Sequence, residues 1–116
     1  MAPGMRDYHS VGLDFAAALA RRDYTTAYAM TSSAYRRSTT IDEMRLAFET
    51  IVPTDWPRVG PIEVGYTMEA WPDKQPSDVG WAYISIGGDV YSEAVVAVVA
   101  LEADTLKIRS VEFGRP

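Results

Sequence analysis

Along residues 5–22, "MRDYHSVGLDFAAALARR", apolar side chains fall at Tyr8, Val11, Phe15, Ala18 and Leu19, the spacing of one face of an α-helix. Gly12 interrupts that helix at a cost of about 1 kcal/mol relative to alanine, which predicts close packing against another backbone or a slight irregularity of the helix. Asp23 can cap a second helix over residues 24–37, whose ridge carries Tyr24, Ala27, Tyr28, Thr31 and Tyr35. A third helix begins at "TIDEMRLAFETIV", where Thr40 and Glu43 have the spacing of a capping box. Ile41, Met44, Phe48 and Ile51 form its apolar stripe, and Pro53 stops it.

Beyond the proline-bounded loop "PTDWPRVGP" the period changes to two. Ile62, Val64, Tyr66, Met68 and Ala70 alternate with Glu63, Gly65, Thr67, Glu69 and Trp71, the pattern of a half-buried strand. A polar connection, "WPDKQPSDVG", leads into "GWAYISIGGDVYSEAVVAVVALE", two strands around Gly87-Gly88-Asp89. A turn near Ala103-Asp104 precedes a last strand over 105–113. There Leu106 and Ile108 share one parity while Val111 and Phe113 share the other, so a bulge is expected near Ser110.

With 116 residues, the chain suits one domain, spanning 1–116, with Met5 read as the natural start and residues 1–4 as a disordered or vector-derived remnant. It has no cysteine, which excludes disulfides and thiolate chemistry and fits a reducing compartment. The net charge of -5 argues against nucleic acid, whose phosphates require clustered Lys and Arg. The longest apolar run, Ala94 to Leu101, is far shorter than the ~20 residues of a membrane-spanning helix, and the N-terminus has no apolar signal core, so a cytoplasmic location is expected. One histidine and no cysteine give no metal-ligand cluster, Gly87-Gly88 precede a strand rather than a helix, and no cofactor is expected.

Helices followed by antiparallel strands imply an α+β fold with the helices on one face of the sheet. The segment "FAAALARRDYTTAYAMTSSAYRR", a helix running through a charged turn into another, then "TTIDEMRLAF" and the long strands, resembles the nuclear transport factor 2-like superfamily. That resemblance implies three helices on a curved, cone-shaped sheet enclosing an apolar pocket, and dimerisation through the outer face of the sheet. It covers nearly the whole chain, but by pattern rather than by signature residues. The superfamily includes steroid isomerases, polyketide cyclases and scytalone dehydratase as well as noncatalytic binding domains and toxin-neutralising immunity proteins.

Glu93 is the one acid within the apolar hairpin. A two-residue turn would set it beside Ala82 or Ile84, on the face of Ile86 and Tyr91; a three-residue loop would set it opposite Tyr83. Facing a pocket, it becomes a candidate acid or base; otherwise it is solvated or paired with Lys107 or Arg109. His9, the sole histidine, is the other candidate proton carrier, against a plain surface or helix-packing role. Tyr28, Tyr35, Tyr66, Trp81 and Tyr83 are candidate ligand-binding aromatics, against a core role for the same rings. Asp14 and Glu49 are read as solvated helix acids.

The leading expectation is a homodimeric binding domain, holding a small apolar ligand in the cone or a protein partner such as a toxin. The dimer follows from Ala94 to Leu101, apolar in both parities, because helices can cover only one face. The rival expectation is an isomerase, dehydratase or cyclase moving protons with Glu93 or His9 and polarising its substrate with tyrosine hydroxyls.

Overall fold

A computed structural model describes residues 7–88 and 92–114. Among them the elements run α1 (Tyr8–Ala20), α2 (Tyr24–Ala29), α3 (Ser33–Ser38), α4 (Ile41–Ile51), β1 (Val59–Met68), β2 (Asp78–Gly88), β3 (Ser92–Glu102) and β4 (Thr105–Phe113). The Asp7 carboxylate starts α1 by accepting from the Ser10 amide at 2.9 Å, and Tyr8, Val11, Phe15, Ala18 and Leu19 are buried along its inner face. Gly12 is where this helix comes nearest to β2: a methyl placed there would lie 3.3 Å from Ile84 Cδ1 and 3.5 Å from Ala82 Cβ. The ring of Tyr8 covers Gly80 so closely that any side chain at position 80 would overlap it. At Gly12 the close neighbours are thus side chains of β2 rather than backbone.

The second expected helix is divided. Thr31 Oγ1 donates to the Tyr28 carbonyl at 2.6 Å, and Ser32 Oγ accepts from the Tyr35 amide at 3.1 Å, opening α3 as a new helix. Between these caps, Ile108 N donates to Met30 O and Ser32 N donates to Ile108 O, both at 2.8 Å, so the chain at 30–32 runs along the outer edge of β4. Serine and threonine offer the backbone local alternatives to helical bonding, and here the strand completes the exchange.

For α4 the capping box is complete, with Glu43 N donating to Thr40 Oγ1 at 3.1 Å and Thr40 N to Glu43 Oε1 at 2.8 Å. The other end of α4 is met by Arg22, whose backbone takes a left-handed φ of 64°. Its guanidinium donates to Val52 O at 2.9 Å and Pro53 O at 3.0 Å and lies over the Phe48 ring. A cation there complements the negative end of the helix dipole.

The strands form an antiparallel sheet in the order β1-β2-β3-β4. Ala103 and Asp104, with φ of 49° and 64°, make the two-residue turn into β4. Val98 pairs with Ser110 and Val99 with Ile108, so Arg109 is the extra residue of the expected bulge. Phe15, Leu19, Phe48, Ile84, Val95, Val99 and Ile108 are fully buried between helices and sheet.

The sheet is open and flat, with each strand paired to its sequence neighbour, and it does not curl into a cone. This corrects the expected cone-shaped fold and the resemblance to the nuclear transport factor 2-like superfamily on which it rested. The physical reason is that twofold alternation specifies which residues of a strand face the core, while curvature depends on how distant strands are bent and joined. The α+β composition and the helices on one face stand. No helix among the described residues is long and apolar enough to cross a membrane.

Candidate functional site

The pleat of β2 directs Ala82, Ile84 and Ile86 towards the helices and Trp81, Tyr83 and Ser85 away from them. Cross-strand pairing carries that outer face across the sheet. Met68 lies opposite Trp81 and Tyr66 opposite Tyr83 on one side, while Val98, Val96 and Ala94 lie opposite Trp81, Tyr83 and Ser85 on the other. Ser110 and Glu112 complete it on β4, facing Val98 and Val96. Tyr66 stacks towards Tyr83 and tilts against Trp81, with ring centroids 6.4 Å and 5.5 Å apart.

The connection between β1 and β2 folds back beside this face and is tied down there. Asp78, whose side chain is fully buried, accepts from Arg109 Nε at 2.6 Å and Arg109 Nη2 at 2.7 Å, and from the Gln75 amide at 2.8 Å. Burial alone would raise the Asp78 carboxyl above its ordinary range; the Arg109 guanidinium and the Gln75 N–H outweigh it and hold the group below. Ser77 O accepts from Leu101 N at 2.9 Å, and Lys74 reaches back to donate to Glu69 O at 2.8 Å.

Between the tethered connection and β4 lies an open groove of about 210 Å³. Val96 and Val98 form its floor; Trp71 and Trp81 supply indoles; Asp73, Gln75, Ser110 and Glu112 supply polar groups; and Arg109 enters from the bulge. Chemically it offers ring faces for stacking, two carboxylates and an amide as acceptors, and a guanidinium whose charge is already matched by Asp78. Among the described residues no cluster of His, Cys, Asp and Glu could hold a metal ion.

The residues singled out in the sequence lie on both sides of the sheet. Tyr28 and Tyr35 belong to the helices, where Tyr28 donates its hydroxyl to Thr39 O at 2.8 Å and burial pushes the Tyr35 phenol up to about 12. Tyr66, Trp81 and Tyr83 stand together on the outer face, so the five aromatics do not surround one space. His9 sits in the exposed first turn of α1, stacked on Tyr8, with Nε2 3.3 Å from Thr67 Oγ1 and Nδ1 3.8 Å from Asp7 Oδ1. Glu93 pairs with Ile86, a register that none of the considered turns gives, on the helix-facing side with Val95. Residues 89–91, with Tyr91 among them, lie outside the described residues. Lys107 and Arg109, its expected partners, are engaged elsewhere, by Ala29 O and by Asp78. Glu49, expected to be solvated, accepts from the Tyr24 hydroxyl at 2.7 Å and from Arg45 at 3.3 Å.

A flat sheet encloses no cone, and this overturns the function expected from one. There is no apolar cone pocket of the kind a nuclear transport factor 2-like binding domain or immunity protein would use, and no isomerase, dehydratase or cyclase cleft of that type for Glu93 or His9 to serve. The premise of the dimer also changes. Val96 and Val98, on the outer face, are only 3% and 7% exposed in the single chain.

Trp71, Asp73, Gln75, Asp78, Arg109 and Glu112 escaped the sequence reading. Two signals pointed towards them: a tryptophan inside an otherwise polar connection, and the parity slip that brings Arg109 and Ser110 to one side. Compared with known proteins, the chain matches no protein-family model, no curated protein and no solved structure.

Proposed function

We propose that this chain is a recognition domain that works through the outer face of its sheet, with the groove beside Trp71 and Trp81 as its ligand site. The observation that carries the reading is the buried Asp78–Arg109 pair, which fixes the connection bearing Trp71, Asp73 and Gln75 against the strands bearing Trp81 and Glu112. Pre-positioned aromatic and polar groups lower the ordering cost of binding. Tyr66 and Tyr83 extend the aromatic surface beyond the groove.

Three tryptophans make the test direct. Trp56 packs against the helical core and serves as the internal reference. In NMR spectra with a fragment set of amines, sugars and neutral aromatics, binders should shift the indole resonances of Trp71 and Trp81 and leave Trp56 in place. Binders that move Trp56 and spare both others would overturn the reading.

A homodimer through the same sheet face is a second reading, favoured by Tyr66, which is 58% exposed at the centre of an aromatic row. Isolated aromatic exposure of this kind is common at interfaces. Sedimentation equilibrium at micromolar concentration should then give twice the monomer mass, and Tyr66→Glu should restore the monomer. A monomer for both proteins removes this reading and leaves the groove unaffected.

A further inference from the structure

We propose that the groove takes an organic cation, an ammonium or quaternary ammonium head group. This inference rests on the groove being the ligand site and adds the chemistry of the occupant. The lining contains three charged side chains, Asp73, Glu112 and Arg109. Arg109 is matched by Asp78, whose carboxylate takes two of its N–H groups and is itself buried, so the lining's remaining charges are the two carboxylates of Asp73 and Glu112. An anion would meet repulsion there. A neutral polyol would hydrogen-bond the polar lining but gain no charge attraction from Asp73 and Glu112.

Indoles are the best aromatic partners for a cation, and the side chains of two tryptophans line the site. The chain displays this affinity itself: Lys74 Nζ lies 5.8 Å from the centroid of the Trp71 ring. The same Nζ donates to the Glu69 carbonyl at 2.8 Å, and Lys74 is not among the residues that line the groove. The groove's volume of about 210 Å³ is below the range of drug-sized pockets, which suits a head group rather than a whole large ligand. The protein's net charge of -5 favours the approach of cations over longer distances.

Choline and its neutral carbon isostere, 3,3-dimethyl-1-butanol, separate charge from shape. In NMR titrations choline should shift the Trp71 and Trp81 indole signals and bind about five- to tenfold more tightly than the isostere, the effect of roughly 1 kcal/mol from charge. Glu112→Gln and Asp73→Asn, both exposed positions, should each weaken choline severalfold and leave the isostere unchanged, with circular dichroism confirming the fold. Equal binding of choline and isostere at Trp71 and Trp81 would overturn the cation and leave the groove as the site. Methyl glucoside shifting those signals while choline does not would do the same. If no probe shifts Trp71 or Trp81, the cation and the groove fall together.

Discussion

Arg109 and Asp78 meet in a two-point ion pair across 31 residues of sequence, with both carboxylate oxygens engaged and the Gln75 amide on one of them. Removing Arg109 strands the buried Asp78 carboxylate, and because Arg109 itself is part-exposed the cost should fall below the ~3–5 kcal/mol of a fully buried pair. Arg109→Met should therefore lower the urea unfolding midpoint. The double variant Arg109→Ala with Asp78→Ala should lose less than the sum of the singles, by about 1 kcal/mol or more. Strict additivity would show that the pair is not coupled.

The same pair sets the acid limb of stability. The folded Asp78 carboxyl lies below its free value of 3.8, so its contribution is complete above that value and is lost as the pH falls through the folded one. In Arg109→Met only the Gln75 N–H and the more distant Lys74 charge oppose burial, and the acid midpoint of unfolding should move to higher pH. An unchanged midpoint would contradict the assignment.

At the alkaline end Tyr35 carries the larger shift, beside a Tyr24 phenol that burial also raises. The Tyr35 phenol rises from 10.0 to about 12, because burial and the nearby Tyr28 and Glu43 oppose the phenolate. A folded value above the unfolded one means that the contribution is complete below pH 10 and disappears between pH 10 and about 12. Tyr35→Phe should flatten stability against pH in that window while leaving the acid limb as it was.

Two glycines of β2 and α1 should respond differently to alanine. Gly80→Ala places a methyl in the Tyr8 ring, and relieving it by moving α1 should cost about 1–3 kcal/mol in thermal unfolding. Gly12→Ala meets Ile84 Cδ1 at 3.3 Å but recovers about 1 kcal/mol of helix propensity, so its melting temperature should stay close to that of the parent. Equal losses at both sites would contradict the packing described.

Arg22 joins two opposed effects in one side chain. Arg22→Gly relieves a left-handed backbone worth about 1–2 kcal/mol but deletes the hydrogen bonds to Val52 O and Pro53 O. Arg22→Ala deletes the bonds and keeps the strain. The alanine variant should therefore be the less stable by about 1 kcal/mol in chemical denaturation.

Much of this fold was legible because its signals are local. Asp23, the Thr40–Glu43 box, the turn at Ala103-Asp104 and the slip at Ser110 each act within a few residues, and each recurs in the structure. The break at Thr31-Ser32 was missed because the backbone partner that completes it, Ile108, lies some 76 positions away. The expected curvature failed for a related reason. The residues that suggested a cone specify a succession of helices followed by long strands, and those pack as well on a flat sheet. The groove was hidden twice over, because Asp78 and Trp71 read as loop polarity and a stray aromatic until Arg109 brings them to the sheet.

The two hydrogen bonds between Ile108 and the segment 30–32 have a bearing on solubility as well as on the helix break. A sheet's outer strand presents a row of backbone groups on which another chain can polymerise. At β1 that hazard is blunted by Pro61, which lacks an N–H, and by irregular pairing on either side of Ile62–Val64. At β4 the guard is the short segment between α2 and α3. The bonds to Ile108 therefore shield part of the β4 margin from pairing with another chain.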